Sequence, residues 1–424
     1  MRNKNSLKLF KRIYKWQDYF HGFDNYFKTK IGFIAQGGTI DSILNENSKL
    51  VPSPHPVVTS KTIGKKVSYI NKLYLKHQTS AKILGNLFGW SYSQGKDVAI
   101  PWKNQELKII KRISSFDSGQ EDHTHFLSFL DYVMKQLENL EVIIISQGTD
   151  SLVNKASLFT AVLSPYLYAS HKKVIFVGSS ESGYKEDTLA IPNVTGALFT
   201  AVEKRLPGGI YIVSASRIDG EETVEVFQGL GVVKLHSDGI FHSPNSEAIF
   251  TIRKNLVFES ALLKDLIERI KSIELLPYLS RFYFQDHIPD RLEEAFNKTS
   301  IESVENDPRI LISHYNMGKR VFIVRARGSG TASLAWKKQL EILSKKKNVI
   351  IIITTSADSG DVNLRKYEAG LDIDGVISGR TLREEAALTL AAISYDLRMH
   401  EKFNNQDIQQ LIERYCYLSG MIGE

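Results

Sequence analysis

Two threonines in this chain stand where an apolar run stops at glycine, and a hydroxyl presented that way can act as a nucleophile. Val142 to Ser151 reads VIIISQGTDS, four β-branched residues and then Gly148, Thr149 and Asp150. A β-branched run without polar alternation suits a parallel strand covered on both faces. In open α/β sheets the crevice beyond the carboxyl ends of such strands is where ligands bind. A hydroxyl and a carboxylate side by side at that edge are placed for chemistry. The competing reading is that Thr149 and Asp150 only cap the helix that follows, since both residue types are favoured there. Ile31 to Asp41, IGFIAQGGTID, repeats the design, with Gly37 and Gly38 ahead of Thr39. Paired glycines permit backbone conformations closed to other residues and close approach to a ligand. A third stretch, VVKLHSDGIFHSPN from Val232 to Asn245, sets Lys234 in a polar, turn-rich segment, where a lysine read alone is ordinarily solvated. A threonine hydroxyl is too weak an acid to ionise unaided, so a neighbour must take its proton. A lysine can do so only if burial or a nearby charge tunes it towards neutrality.

The elements that must hold these residues alternate along the chain. A helix from about His125 to Leu140 precedes the GTD strand, and LVNKASLFTAVLSPYL reads as the next helix. KKVIFVGS is a strand, Pro192 to Glu203 a helix and GIYIVSA another strand. That alternation predicts an α/β fold with a doubly wound, mainly parallel sheet. GEETVEVFQGLG reads as irregular. From Ser272 to Pro277 the pattern restarts, and RFYFQDHIPDRLEEAF, RVFIVRARGSG and NVIIIITTS read as three strands of a second, smaller α/β domain. The expected division is an N-terminal extension over 1–30, a catalytic domain over 31–272 and a smaller domain over 273–424. Leu7, Phe10, Ile13, Tyr14, Phe20 and Phe27 fall near helical spacing among basic residues, which predicts an amphipathic basic helix in the extension. A lysine-rich insertion at about 57–112 reads as one or two helices or a strand pair.

At 424 residues the chain exceeds the usual size of one domain. No apolar run is long enough to span a bilayer, and the first twenty residues lack the apolar core and cleavage site of a secretory signal, so the expected location is cytoplasmic. The single cysteine, Cys416, rules out an internal disulfide and reads as packing. The net charge of +7 conceals an asymmetry. Residues 1–112 hold 20 Lys and Arg against 6 Asp and Glu, a surplus of 14, which leaves the rest of the chain at −7. Such a head could meet nucleic acid, an anionic membrane or a sister subunit, or be a solvated surface. His123 and His125 would point to unlike faces of a strand or helix, and no HExxH or paired CxxC occurs, so no metal is expected. Gly328, Ser329 and Gly330 follow a strand, but without a third glycine they make a weak dinucleotide loop.

Taken together and in order, GGTI at Thr39, GTD at Thr149 and Asp150, and VVKLHSDG at Lys234 resemble the bacterial-type asparaginase family, cytoplasmic type I-like. KKVIFVGSS with DTLAIPNVTGALFTAV, SGDVNLRKYEAG and GRTLREEAALTLAAISYDL extend the resemblance from about Ile31 to Leu397. It implies an amidohydrolase that turns L-asparagine into aspartate and ammonia through a threonine acyl-enzyme, with glutamine or another small amide also possible. Thr39 would attack the side-chain amide. Thr149 would activate water with Lys234 as proton partner, and Asp150 would orient both and bind the α-ammonium group. Asp117 to Gln120 resemble the family's substrate clamp, with Ser118 and Gln120 as the candidates; read alone, the same stretch is a turn and helix cap. The resemblance further implies amide chemistry that requires no cofactor, and a homodimer or homotetramer with sites completed across an interface.

This chain departs from the family pattern in several places. Leu50 stands where a lid tyrosine precedes the proline, Gln147 stands where histidine precedes GTD, and Ser329 and Thr331 replace an asparagine. Two alternatives follow: an asparaginase-like subunit of a tRNA-dependent amidotransferase, which the basic head favours, and a catalytically inactive amino-acid-binding relative.

Overall fold

The computed structural model describes residues 12–15, 30–36, 42–44, 50–52, 98–102, 105–111, 118–179, 189–218, 220–234, 240–253, 256–272 and 288–422. In chain order the first strands are β1 (Arg12–Lys15), β2 (Lys30–Ala35), β3 (Ser42–Leu44), β4 (Leu50–Pro52), β5 (Val98–Trp102) and β6 (Gln105–Lys111). There follow α1 (His123–Leu137), β7 (Val142–Gln147), α2 (Leu152–Ser170), β8 (Lys173–Gly178), α3 (Ala190–Val202), β9 (Gly209–Ile218) and β10 (Glu221–Gln228). Next come β11 (Val233–Lys234), β12 (Phe241–His242), β13 (Phe250–Arg253), β14 (Leu256–Glu259) and α4 (Ala261–Ser272). The remainder is α5 (Ile288–Asn297), β15 (Thr299–Ser303), α6 (Ile310–Asn316), β16 (Val321–Ala326), α7 (Leu334–Ser344), β17 (Ile350–Thr355), β18 (Val376–Ser378), α8 (Glu384–Glu401) and α9 (Asn405–Leu418).

The apolar runs become the middle of a large sheet, in the order β1-β14-β13-β10-β9-β8-β7-β2-β6-β5. Its central strands β9, β8, β7, β2 and β6 are parallel, and antiparallel strands extend both edges. From β2 the chain goes to β6 on one side, then to β7, β8 and β9 on the other, so the order reverses between β2 and β7. Crevices at such a reversal are the ligand-binding places of open α/β sheets. The threonine motifs follow the carboxyl ends of the two strands that flank it.

Both faces of the sheet are covered. Ile143 and Ile145 of β7 pack with Leu158, Phe159 and Val162 of α2, while Ile144 packs on the opposite side with Leu198 and Phe199 of α3. The small sheet, β15-β16-β17-β18, is wholly parallel. Its Ile323 and Ile352, with Leu390 and Ile393 of α8, belong to the same buried cluster as α2. Most of α2 is buried, between the large sheet on one side and α8 on another, and α8 in turn packs on the small sheet.

Three local readings of the elements differ from the structure. Arg12–Lys15 is a strand, not helix, because it pairs antiparallel with Leu256–Glu259 and so satisfies the edge of β14. Glu221–Gln228 is regular: it pairs with β9 across a two-residue connection, in which Gly220 adopts a φ of 77°. Asp-Gly between alternating residues is a hairpin dipeptide, and Val224 and Val226 point into the core. In the second half, part of the RFYF stretch lies outside the described residues, Ile288–Asn297 is helix, and the first strand of the small sheet is β15. Of the basic insertion, the described part is an antiparallel pair, β5 and β6.

Candidate active site

Thr149 follows β7, and its side chain packs beside Gly178, where an added Cβ would lie 3.2 Å from Thr149 Cγ2. The residue is 6% exposed. Asp150, next along, is exposed. The N-cap of α2 is Ser151, with no side-chain capping bond, so neither Thr149 nor Asp150 caps the helix. The Asp150 carboxylate turns instead towards two other segments. Its Oδ1 accepts from Lys234 Nζ at 2.5 Å and its Oδ2 from Ser118 Oγ at 3.5 Å. Three sequence-predicted residues from three separate segments therefore meet.

Lys234 is positioned by a short ladder, in which Val233 pairs with His242 and Lys234 with Phe241. Phe241 is buried, and its N–H donates to Ser214 Oγ of β9 at 3.2 Å. Asn245, shortly after the ladder, ties the segment to the second half: its Nδ2 donates to the Thr381 carbonyl at 3.0 Å and its Oδ1 accepts from the Gly360 N–H at 2.9 Å. Ser118 opens a 3₁₀ turn, Ser118–Gln120, immediately before α1. Asp122 rather than Asp117 to Gln120 caps that helix, through a capping box with His125. The His125 N–H donates to the Asp122 carboxylate, and this bond above all holds its pKa below the ordinary range. Gly119 sits against Asp150, with room for a Cβ 3.8 Å from Oδ2. Thr39, Asp117 and the side chain of Gln120 lie outside the described residues.

A cleft of about 550 Å³, with Lys234 in its wall, opens between the ladder and the carboxyl ends of β16 and β17. Its walls include His242, Arg325, Thr354, Thr355 and Arg383. Thr149, Asp150 and Ser118 are not among them, so the side-chain cluster marks the candidate chemistry better than the cleft does. Among the described residues no group of three or more His, Cys, Asp or Glu could hold a metal ion. His125 is engaged with Asp122, and His123 stacks on Phe296 at 5.3 Å. A Ser300, His314 and Glu302 cluster in the small sheet has the composition of a hydrolytic triad but not its wiring. Both Ser300 Oγ and Glu302 Oε1 meet the same ring atom, His314 Nδ1, at 2.8 and 2.6 Å, whereas a relay needs both nitrogens.

The family model for the N-terminal part of asparaginases matches residues 30–263, more than half of the chain and every segment of this cluster. The chain belongs to the asparaginase family. Curated relatives include a glutamyl-tRNA(Gln) amidotransferase subunit from Methanococcus vannielii, 23% identical over 250 residues, covering 58% of this chain and 53% of that protein. Its namesake from Archaeoglobus fulgidus is 25% identical over 291 residues, covering 67% and 63%. The chain thus spans between half and two thirds of the length of these relatives. Among solved structures, the thermostable L-asparaginase from Thermococcus kodakarensis superposes with a TM-score of 0.59 at 18% identity, over 93% of this chain and 100% of that one. The probable cytoplasmic L-asparaginase from Campylobacter jejuni gives 0.61 at 16% identity, over 91% and 100%. At such identities these structures establish the asparaginase fold alone. Among the described residues, no helix is long and apolar enough to cross a membrane.

Behind the cluster lies a group that the motifs do not name. Lys155 of α2 has no exposed surface and forms an ion pair with Glu121 at 2.7 Å. Glu121 also accepts from Ser151 Oγ at 2.5 Å. Gln147, where the family pattern has histidine, is buried with no hydrogen-bond partner for either amide atom among the described residues.

Proposed function

We propose that this chain hydrolyses the side-chain amide of a small amino acid, L-asparagine foremost, through a threonine ester. Thr39 Oγ attacks the amide carbon, the hydroxyl proton leaves with the amine as ammonia, and water cleaves the resulting ester to aspartate. Splitting the reaction in two lowers each barrier. Thr149 and Lys234 serve the water step, and Asp150 holds both Lys234 and the substrate's α-ammonium group. Ser118 and Gln120 take the α-carboxylate. The observation that carries the reading is the meeting of Ser118, Asp150 and Lys234 at the sheet's order reversal, inside a segment that matches the asparaginase model throughout. Backbone N–H groups at the strand tips are the natural oxyanion donors, and the scheme uses no cofactor. Family membership supports a homo-oligomer. The test is ammonia release from a panel of amides by wild type, Thr39→Ala and Lys234→Ala. The expected outcome is release by wild type and a loss of about a hundredfold or more in each variant; equal behaviour of all three defeats the reading.

A second reading makes the chain an asparaginase-like subunit of a tRNA-dependent amidotransferase. It is favoured by the relatives that bear the name of an amidotransferase subunit and by the surplus of 14 positive charges in residues 1–112. Binding of tRNA that weakens steeply between about 50 and 200 mM salt, as counterion release dictates, would select it. Ammonia release from free asparagine with no tRNA binding would select the first.

A further inference from the structure

The ammonium of Lys155 lies 5.6 Å from the ring centre of Phe126 and 5.3 Å from that of Phe129, with no solvent contact. A charge in such surroundings persists only when paired and hydrogen-bonded. Glu121 supplies the pair through both carboxylate oxygens, at 2.8 and 2.7 Å, and Gln36 Oε1 accepts a further bond at 3.0 Å. The carboxylate is met in turn by Ser151 Oγ at 2.5 Å and by Gln36 Nε2 at 3.3 Å. Each of these partners stands next to a candidate site residue. Gln36 ends the strand three positions before Thr39, Glu121 lies three positions after Ser118, and Ser151 is joined to Asp150.

A buried ion pair adds little net stability, because desolvation offsets the attraction, and well-packed apolar residues would do as well. What it adds is direction: the two partners fit only when the segments bearing them are in one mutual register. Apolar residues at this junction would tolerate sliding of the three tips. We propose that Lys155 and Glu121, with Gln36 and Ser151, are positioning residues that set the strand tip before Thr39, the Ser118 turn and the Thr149–Asp150 tip in one arrangement. None of them touches the substrate. The chemical consequence rests on the amide-hydrolysis reading; the mechanical one does not.

The decisive variant is the charge-free double Glu121→Gln with Lys155→Met, which leaves no unpaired buried charge and therefore folds. Ser151→Ala removes a single bond and serves if the double variant is insoluble. Hydrogen exchange is followed at residues 31–36, 118–122 and 149–155, with 321–326 of the small sheet as internal reference. The expected result is faster exchange in all three segments together, with the reference unchanged. With asparagine, kcat is expected to fall and KM to rise, for a combined loss of roughly ten- to a hundredfold in the double variant, at an unaltered pH profile. Ser151→Ala is expected to show several-fold loss. Wild-type exchange in all three segments overturns the proposal, as does a lowered melting temperature with unchanged kcat and KM. If wild type releases no ammonia, the hydrolysis reading fails while the exchange comparison still decides the role of the pair.

Discussion

Gly178→Ala tests how rigidly the tip bearing Thr149 is held. Gly178 pairs with Gln147 across β8 and β7. A Cβ there would lie 3.0 Å from Leu152 Cδ1, 3.2 Å from the Gln147 carbonyl oxygen and 3.2 Å from Thr149 Cγ2. The carbonyl belongs to the backbone and cannot rotate away, and Leu152 is fully buried, so room is made by moving the Gln147–Thr149 tip. The added methyl gains roughly 0.8 kcal/mol of burial, but overpacking of this kind costs about 1–3 kcal/mol in net terms. A displacement of a few tenths of an ångström, scaled from about a hundredfold per ångström, lowers kcat/KM by roughly three- to tenfold. Urea unfolding reads the first effect as a lower midpoint at constant slope, and ammonia release reads the second. An unchanged midpoint with unchanged kcat/KM would show the tip to be deformable and Thr149 not to be held by close packing at Gly178.

Three further outcomes are expected. Asn245→Ala removes the bonds to Thr381 and Gly360 that anchor the Lys234 ladder; at about 0.5–1.5 kcal/mol each, the urea midpoint falls, and kcat drops without a rise in KM, as a slower water step requires. Lys173 is buried at the end of α3, donating to the Thr200 and Glu203 carbonyls, and burial pulls its pKa from 10.5 to about 8, with the charge of Glu203 opposing. The unfolded chain then binds more protons than the folded one between about pH 8 and 10.5, so unfolding free energy rises with pH across that window; urea midpoints at about pH 8 and 10 for wild type and Lys173→Met should show that rise only in wild type. Burial pushes the Cys416 thiol up to about 12, so a thiol reagent at about pH 8 should label the protein only after unfolding in urea.

The central strands are legible in the sequence because β7, β8 and β9 are covered on both faces and so carry unbroken apolar runs. The edges are not. Whether Arg12–Lys15 forms helix or strand is decided by its pairing with β14, a partner more than two hundred residues away, and local spacing is silent about that. In β10 the alternation of Val224 and Val226 with charged residues is present, and the glutamates mask it. Ser118, Asp150 and Lys234 are legible as motif residues, but their meeting depends on the order of strands in the sheet. Lys155 gives no local sign of its burial, because a lysine on a helix ordinarily reaches solvent. Only the packing of α2 against α1, with the Glu121 turn and the tip of β2, encloses it.

That sandwiching of α2 also has a consequence for inheritance and engineering. Because Ile143 and Phe159 share one dry interior with Ile352 and Leu390, the halves of the polypeptide are not interchangeable parts. Grafting the small sheet and its helices from a distant cousin would have to bring matching partners for α2 as well, and a chain cut between the sheets would leave that helix stripped on one flank. Melting should therefore be all-or-none, and substitutions on α2 and α8 should be tolerated in compensating pairs more readily than one at a time.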